Sequence, residues 1–148
     1  AASDVYKRQE SRGSGVVLIY SGDEFLGVKL EADADVRIEG MELGSQFGFE
    51  SQIVSDTDGD GAAEIVIGAY NAGGDLSGAI YGFSEAWTPG TRTTDDDDAW
   101  VIHGEVGSEL GHAITLGDVG SDGAEELLIA GPGLDSVWVL EPSVLFPE

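Results

Sequence analysis

Four acids fall at positions 1, 3, 5 and 9 of one nine-residue stretch, Asp56, Asp58, Asp60 and Glu64, with Gly61 at position 6. Acids so spaced in a turn can converge their oxygens on one cation. Calcium suits them, because it is a hard ion that takes about 6–8 oxygen ligands in flexible geometry. Without a cation the stretch repels itself. At ~4 Å and an effective dielectric of ~20, each pair of like charges repels by roughly 4 kcal/mol. An EF-hand would need a bidentate Glu at position 12, leading into a helix. Position 12 is Ile67, inside an Ile65-Val66-Ile67 run that reads as a buried strand. The loop therefore joins strands.

A second copy of the pattern sets the architecture. Asp118, Asp122, Gly123 and Glu126 precede Leu127-Leu128-Ile129, and the step from Asp56 to Asp118 is 62 residues. The flanks repeat as well. Leu43-Gly44-Ser45-Gln46-Phe47-Gly48 parallels Val106-Gly107-Ser108-Glu109-Leu110-Gly111, and Ile38-Glu39-Gly40 parallels Ile102-His103-Gly104. Gly78 with Ile80-Tyr81 parallels Asp135 with Val137-Trp138, and Gly15 with Val17-Leu18 is a third, partial copy. Repetition at this period marks a fold whose single unit cannot bury its own apolar face.

Phe47-Gly48, the acidic loop, and Gly68-Ala69-Tyr70 (Gly131-Pro132 in the second copy) closely resemble FG-GAP repeats. Such repeats form the blades of integrin α-subunit propellers and of many bacterial surface and secreted proteins. The resemblance spans roughly residues 13–140. It implies an all-β fold of four-stranded antiparallel β-propeller blades, about two plus part of a third, from a larger ring that usually has seven. It also implies calcium in loops on one face. Asp56, Asp58, Asp60 and Glu64 would supply side-chain oxygens and Ala62 a backbone carbonyl. Glu64 stands where Asp is common, so a longer arm must fold into the site. In the second copy Gly120 replaces one carboxylate, leaving Asp118, Asp122 and Glu126, with Ala124 in the place of Ala62. That second site is expected to be weaker, empty or completed by water.

The elements that would position these residues read as strands. Residues 49–55, 64–69, 78–83 and 100–103 form one expected blade, and 113–116, 126–130 and 137–140 begin the next. The 65–67 and 127–129 runs suggest strands covered on both faces, as stacked blades require. Trp87, Trp100 and Trp138 are expected to fill space between blades. Residues 71–75, 23–24 and 33–35 read as turns, and the 95–98 acidic run as a solvated loop, since consecutive acids in an extended chain point to opposite sides. Residues 1–9 resemble a translated sequencing-library adapter and are expected to stand outside the fold. The organisation is then a leader over 1–12, the end of a preceding repeat over 13–39, a complete repeat over 40–104 and a partial repeat over 105–148. Two blades cannot close a ring of ~4–8, so the chain is expected to be part of a longer protein.

Composition narrows the function. Against 29 Asp and Glu stand 6 Lys and Arg, for a net charge of −23. Such a surface repels nucleic acids and anionic membranes. The chain has no Cys, so disulfides and thiolate metal sites are absent, and no apolar run approaches the ~20 residues of a spanning helix. Catalysis finds little support: His103 and His112 are the histidines, neither lies near a G-x-S-x-G serine, and no H-E-x-x-H pattern occurs. The leading expectation is a calcium-binding propeller segment of an extracellular or cell-surface protein, a structural or adhesive scaffold. Its partners would be neighbouring blades and a protein or carbohydrate ligand at the loops. The alternative is an accessory or catalytic propeller of a secreted enzyme acting on polysaccharide or lipid.

Overall fold

The computed structural model describes residues 4–8, 13–20, 22, 28–84, 87–97 and 99–146. The described residues hold eleven strands, most of them apolar β-branched runs broken by glycine turns: β1 (Asp4–Arg8), β2 (Val16–Tyr20), β3 (Val36–Glu39), β4 (Ser51–Val54), β5 (Glu64–Ala69), β6 (Ala79–Phe83), β7 (Gly90–Thr93), β8 (Ala99–His103), β9 (Ala113–Gly117), β10 (Glu126–Gly131) and β11 (Ser136–Leu140). One helical turn, α1 (Pro142–Leu145), follows. The strands build three sheets, ordered β1-β2-β3-β7, β4-β5-β6-β8 and β11-β10-β9. The fold is all-β.

Side-chain alternation stacks the sheets. Val17, Ile19, Val36 and Ile38 of the first sheet pack with Ile65, Ile67, Tyr81 and Phe83 of the second. From the opposite face of the second sheet, Val66 and Ile80 pack with Ile114, Leu127 and Ile129 of the third. Every residue of β5 and β6 is therefore buried, which is why these strands carry continuous apolar runs rather than alternation. The third sheet is covered on one face, and β10 accordingly alternates between buried and half-buried residues. The tryptophans lie between sheets, Trp87 against the first cluster and Trp100 and Trp138 against the second.

Neighbouring sheets are joined by one junction used twice. Phe47 donates its N–H to the Ser14 carbonyl, and Leu110 donates to that of Ser77. Gly40 donates to Gly15 as Gly104 donates to Gly78. The Ser45 and Ser108 hydroxyls bond the same Ser14 and Ser77 carbonyls. The backbones come so close that a Cβ on Gly15 would lie 1.9 Å from the Phe47 carbonyl oxygen, and one on Gly78 would lie 2.4 Å from the Leu110 nitrogen. Gly15 and Gly78 also sit at φ of +89° and +72°, where a side chain is strained. Only glycine fits.

Most expected strands appear within two residues of their expected ends, and the second sheet is the expected antiparallel four. Two features differ. β7 leaves its own repeat and pairs in parallel with β3 of the preceding one, from Val36 with Gly90 to Glu39 with Thr93. The first sheet is thus mixed, not purely antiparallel. The leader does not stand wholly outside the fold: Asp4–Arg8 pairs antiparallel along β2, whose edge would otherwise expose unpaired backbone groups. The third sheet has the three strands expected of the partial second repeat. The expected turn at 23–24, Asp98 and the rest of the leader, 1–3 and 9–12, lie outside the described residues. In the 95–97 stretch Asp96 accepts the Thr93 N–H and hydroxyl, both at 2.9 Å, which hold its carboxyl below the ordinary carboxylate range.

The junction predicts a graded response to alanine. Gly78→Ala combines a backbone clash with a positive φ and should cost about 2–4 kcal/mol. Gly74→Ala, at φ +69° with no atom within 4 Å of the added Cβ, should cost only about 1 kcal/mol of backbone strain. Urea unfolding of the two variants checks the difference, and equal losses would refute the close approach.

Candidate metal centre

The β4–β5 hairpin carries the first acidic loop at the end opposite the inter-sheet junction. Its shape is set by its own aspartates. Asp56 Oδ1 accepts the Gly59 N–H at 2.7 Å and Oδ2 the Gly61 N–H at 3.0 Å. Asp58 Oδ1 accepts from Asp60 and Asp60 Oδ1 from Ala62. These are local Asx-type turns, in which a short carboxylate replaces a backbone acceptor. Gly59 and Gly61 take positive φ to allow the curl.

Glu64, the first residue of β5, reaches back beneath the loop. Its Oε1 accepts the Thr57 N–H at 3.2 Å and its Oε2 the Thr57 hydroxyl at 3.3 Å. The residue is fully buried. Burial pushes its carboxyl above the ordinary glutamate range, and the neighbouring Asp58 charge adds to the shift; the two Thr57 hydrogen bonds oppose it. Asp56, Asp58 and Glu64 each bring one carboxylate oxygen to within 4.8 Å of the others. A trio of hard oxygen donors at that spacing could hold a metal ion. Asp60 is not among the three, and its Oδ1 bonds the Ala62 N–H. Ala62 enters the hydrogen-bond pattern through that N–H.

The second loop repeats the shape between β9 and β10. Asp118 Oδ2 accepts the Gly123 N–H, Asp122 Oδ1 the Ala124 N–H, and Glu126 Oε2 the Val119 N–H at 2.7 Å. These correspond to the bonds of Asp56 to Gly61, Asp60 to Ala62 and Glu64 to Thr57. Among the described residues, Asp118, Asp122 and Glu126 do not gather as the first trio does. Gly120 stands where Asp58 supplies the third oxygen, and Glu126 is only half-buried. A cleft of about 720 Å³ lies between the two hairpins, lined by Val54, Thr57 and Leu116 with Asp118, Glu125 and Glu141. Its acids favour cationic groups over anionic ones.

The histidines stand apart from this chemistry. His103 is exposed at the end of β8. His112 packs with Phe49 and Tyr70, at ring-centroid distances of 5.1 Å to each. This three-ring contact was not legible in the sequence, because it joins residues from two repeats.

No protein-family model and no curated protein matches this chain.

The buried glutamate gives the site a testable sign. A raised folded-state pKa means the metal-free fold favours the protonated carboxyl. Its contribution to stability is full below the unfolded carboxylate range and is lost as pH rises through the raised value. At neutral pH without metal, Glu64→Gln should therefore be more stable than the parent, and the gap should close on acidification. A divalent cation should reverse the order, since glutamine cannot supply the charge. Urea unfolding in chelator and in metal, at both pH values, checks it.

Proposed function

We propose that this chain is a calcium-binding β-propeller segment of the FG-GAP type. It belongs to an extracellular or cell-surface protein and serves as a structural and adhesive scaffold. The observation that carries the reading is the Asp56–Asp58–Glu64 trio on a hairpin whose loop fold recurs one repeat later. The stacking of one sheet on the next by the same junction supports the propeller geometry, in which blades pack face to face.

Calcium fits the donor set best. All candidate donors are oxygens, which excludes the soft-ligand metals, and the loop holds more carboxylate than the near-octahedral, water-rich magnesium sphere uses. The ion would offset the crowding of Asp56, Asp58 and Glu64 and tie β4 to β5 at the end remote from the glycine junction. The net charge of −23 fits a role away from nucleic acid and anionic membrane. Among the described residues no helix is long and apolar enough to cross a membrane.

Thermal unfolding with calcium, magnesium or chelator tests the assignment. A ligand present at about 100 times its Kd stabilises by roughly 2.7 kcal/mol, so calcium should raise Tm by several degrees and magnesium by much less. Asp58→Ala should lose the calcium response, whereas Asp122→Ala in the second loop should keep most of it. A folded chain with no calcium-dependent shift would sink the metal reading.

A further inference from the structure

We propose that the outer edge of β8 is a docking site for an extended peptide strand, taken up in parallel and in the register that β7 adopts on β3. This goes beyond the calcium reading and stands independently of it, on strand pairing alone.

β3 and β8 are the same strand of successive repeats. Ile38-Glu39-Gly40 matches Ile102-His103-Gly104, and the inner neighbours pair in identical register. Val17 opposes Ile38 as Ile80 opposes Ile102, and Val16 opposes Glu39 as Ala79 opposes His103. Their outer edges differ in one respect. The edge of β3 is occupied by β7, while β8 ends its sheet. Among the described residues, nothing pairs along it. The internal precedent thus defines both the acceptor and the strand it accepts.

The register is specific to the atom. Gly90 donates its N–H to the Asp35 carbonyl, and Thr94 donates to that of Glu39. In a parallel ladder alternate residues face the partner, so Arg92 points its N–H towards β3, and Thr91 and Thr93 point away. In agreement, the Thr93 N–H is taken by Asp96. Carried one repeat on, Asp35, Arg37 and Glu39 become Ala99, Val101 and His103. The carbonyls of these three residues, and the N–H groups of Val101 and His103, face the open edge. Val101 is 43% exposed although it is apolar, and His103 is exposed beside it.

Chemistry selects the occupant. The edge is flanked by the exposed acids Asp95, Asp97 and Glu105. A strand resembling β7, threonine-rich for β-propensity and with a central arginine as in Thr91-Arg92-Thr93, matches this charge. Main-chain hydrogen bonds would supply the affinity and the flanking acids the preference for a basic residue, the usual division in strand addition.

The probe is a capped peptide of residues 87–94, titrated into the full chain. NMR-detected hydrogen exchange should slow at Val101 and His103, while the amides of Trp100 and Ile102, which face β6, change little. N-methylation at Arg92 should weaken binding about tenfold or more, because it removes a hydrogen bond and blocks the ladder. N-methylation at Thr91, on the outward side, should leave affinity within about twofold. Replacing Arg92 by Glu in the peptide should also weaken binding. The proposal is overturned if millimolar peptide fails to bind. It is equally overturned if the peptide binds without slowing exchange at Val101 and His103, or if the two N-methylated peptides bind alike.

Discussion

The contact on which the structure depends is the close approach of backbone to backbone between neighbouring sheets. At Gly15 and Gly78 the absent side chain is what allows the following repeat to lay Phe47 or Leu110 against the preceding one. Once that approach is made, the hydrogen bonds of Phe47 to Ser14 and Leu110 to Ser77 fix both separation and rotation. The apolar faces then meet in one register, and the burial of β5 and β6 on both sides follows. The large residues contribute the energy of burial, but they do not choose the geometry. The glycines and serines do.

The acidic loop depends on the same frame at a distance. β5 runs six residues from Glu64 to Ala69, so at ~3.3 Å per residue the loop stands about 20 Å from the junction. What the junction gives the site is a rigid strand whose first residue is Glu64. That residue is buried because sheets pack on both faces of β5, and its burial leaves a charge that a cation would neutralise. The equivalent Glu126 begins β10, which is covered on one face only, and it is correspondingly less buried. The two loops differ as the packing of their sheets differs, in addition to the missing carboxylate at Gly120.

Much of this was legible in the sequence, for definite reasons. β5 and β10 show as apolar runs after an acidic loop, and the paired Phe47-Gly48 and Leu110-Gly111 motifs mark where each repeat meets the last. β7 was not legible. Gly90-Thr91-Arg92-Thr93 has no apolar alternation, and its partner β3 lies some fifty residues away on another repeat's sheet. A strand whose stability comes from a distant edge leaves no local periodicity. β1 escaped for a different reason: its partner is the next strand, β2, but residues 1–9 resemble a translated adapter and so were expected to stand outside the fold. That the gathered carboxylates are those of Asp56, Asp58 and Glu64 was also hidden, because spacing counts acids without fixing where their oxygens lie in the folded loop.

Asp56 and Asp60 already satisfy N–H groups of Gly59, Gly61 and Ala62, and the second loop repeats the bonds to Gly123 and Ala124 with one carboxylate fewer. The curl of the loop is therefore encoded by aspartate-to-backbone bonds and positive-φ glycines, not by the ion. An ion entering such a loop meets donors largely in place, so little of its binding energy goes into ordering the chain. Its effect falls instead on charge, chiefly on Glu64, whose buried carboxylate is held by Thr57 and its own backbone N–H with no cation beside it among the described residues. The metal would act less as a template for the loop than as the counter-ion that lets a buried glutamate remain ionised at the root of β5.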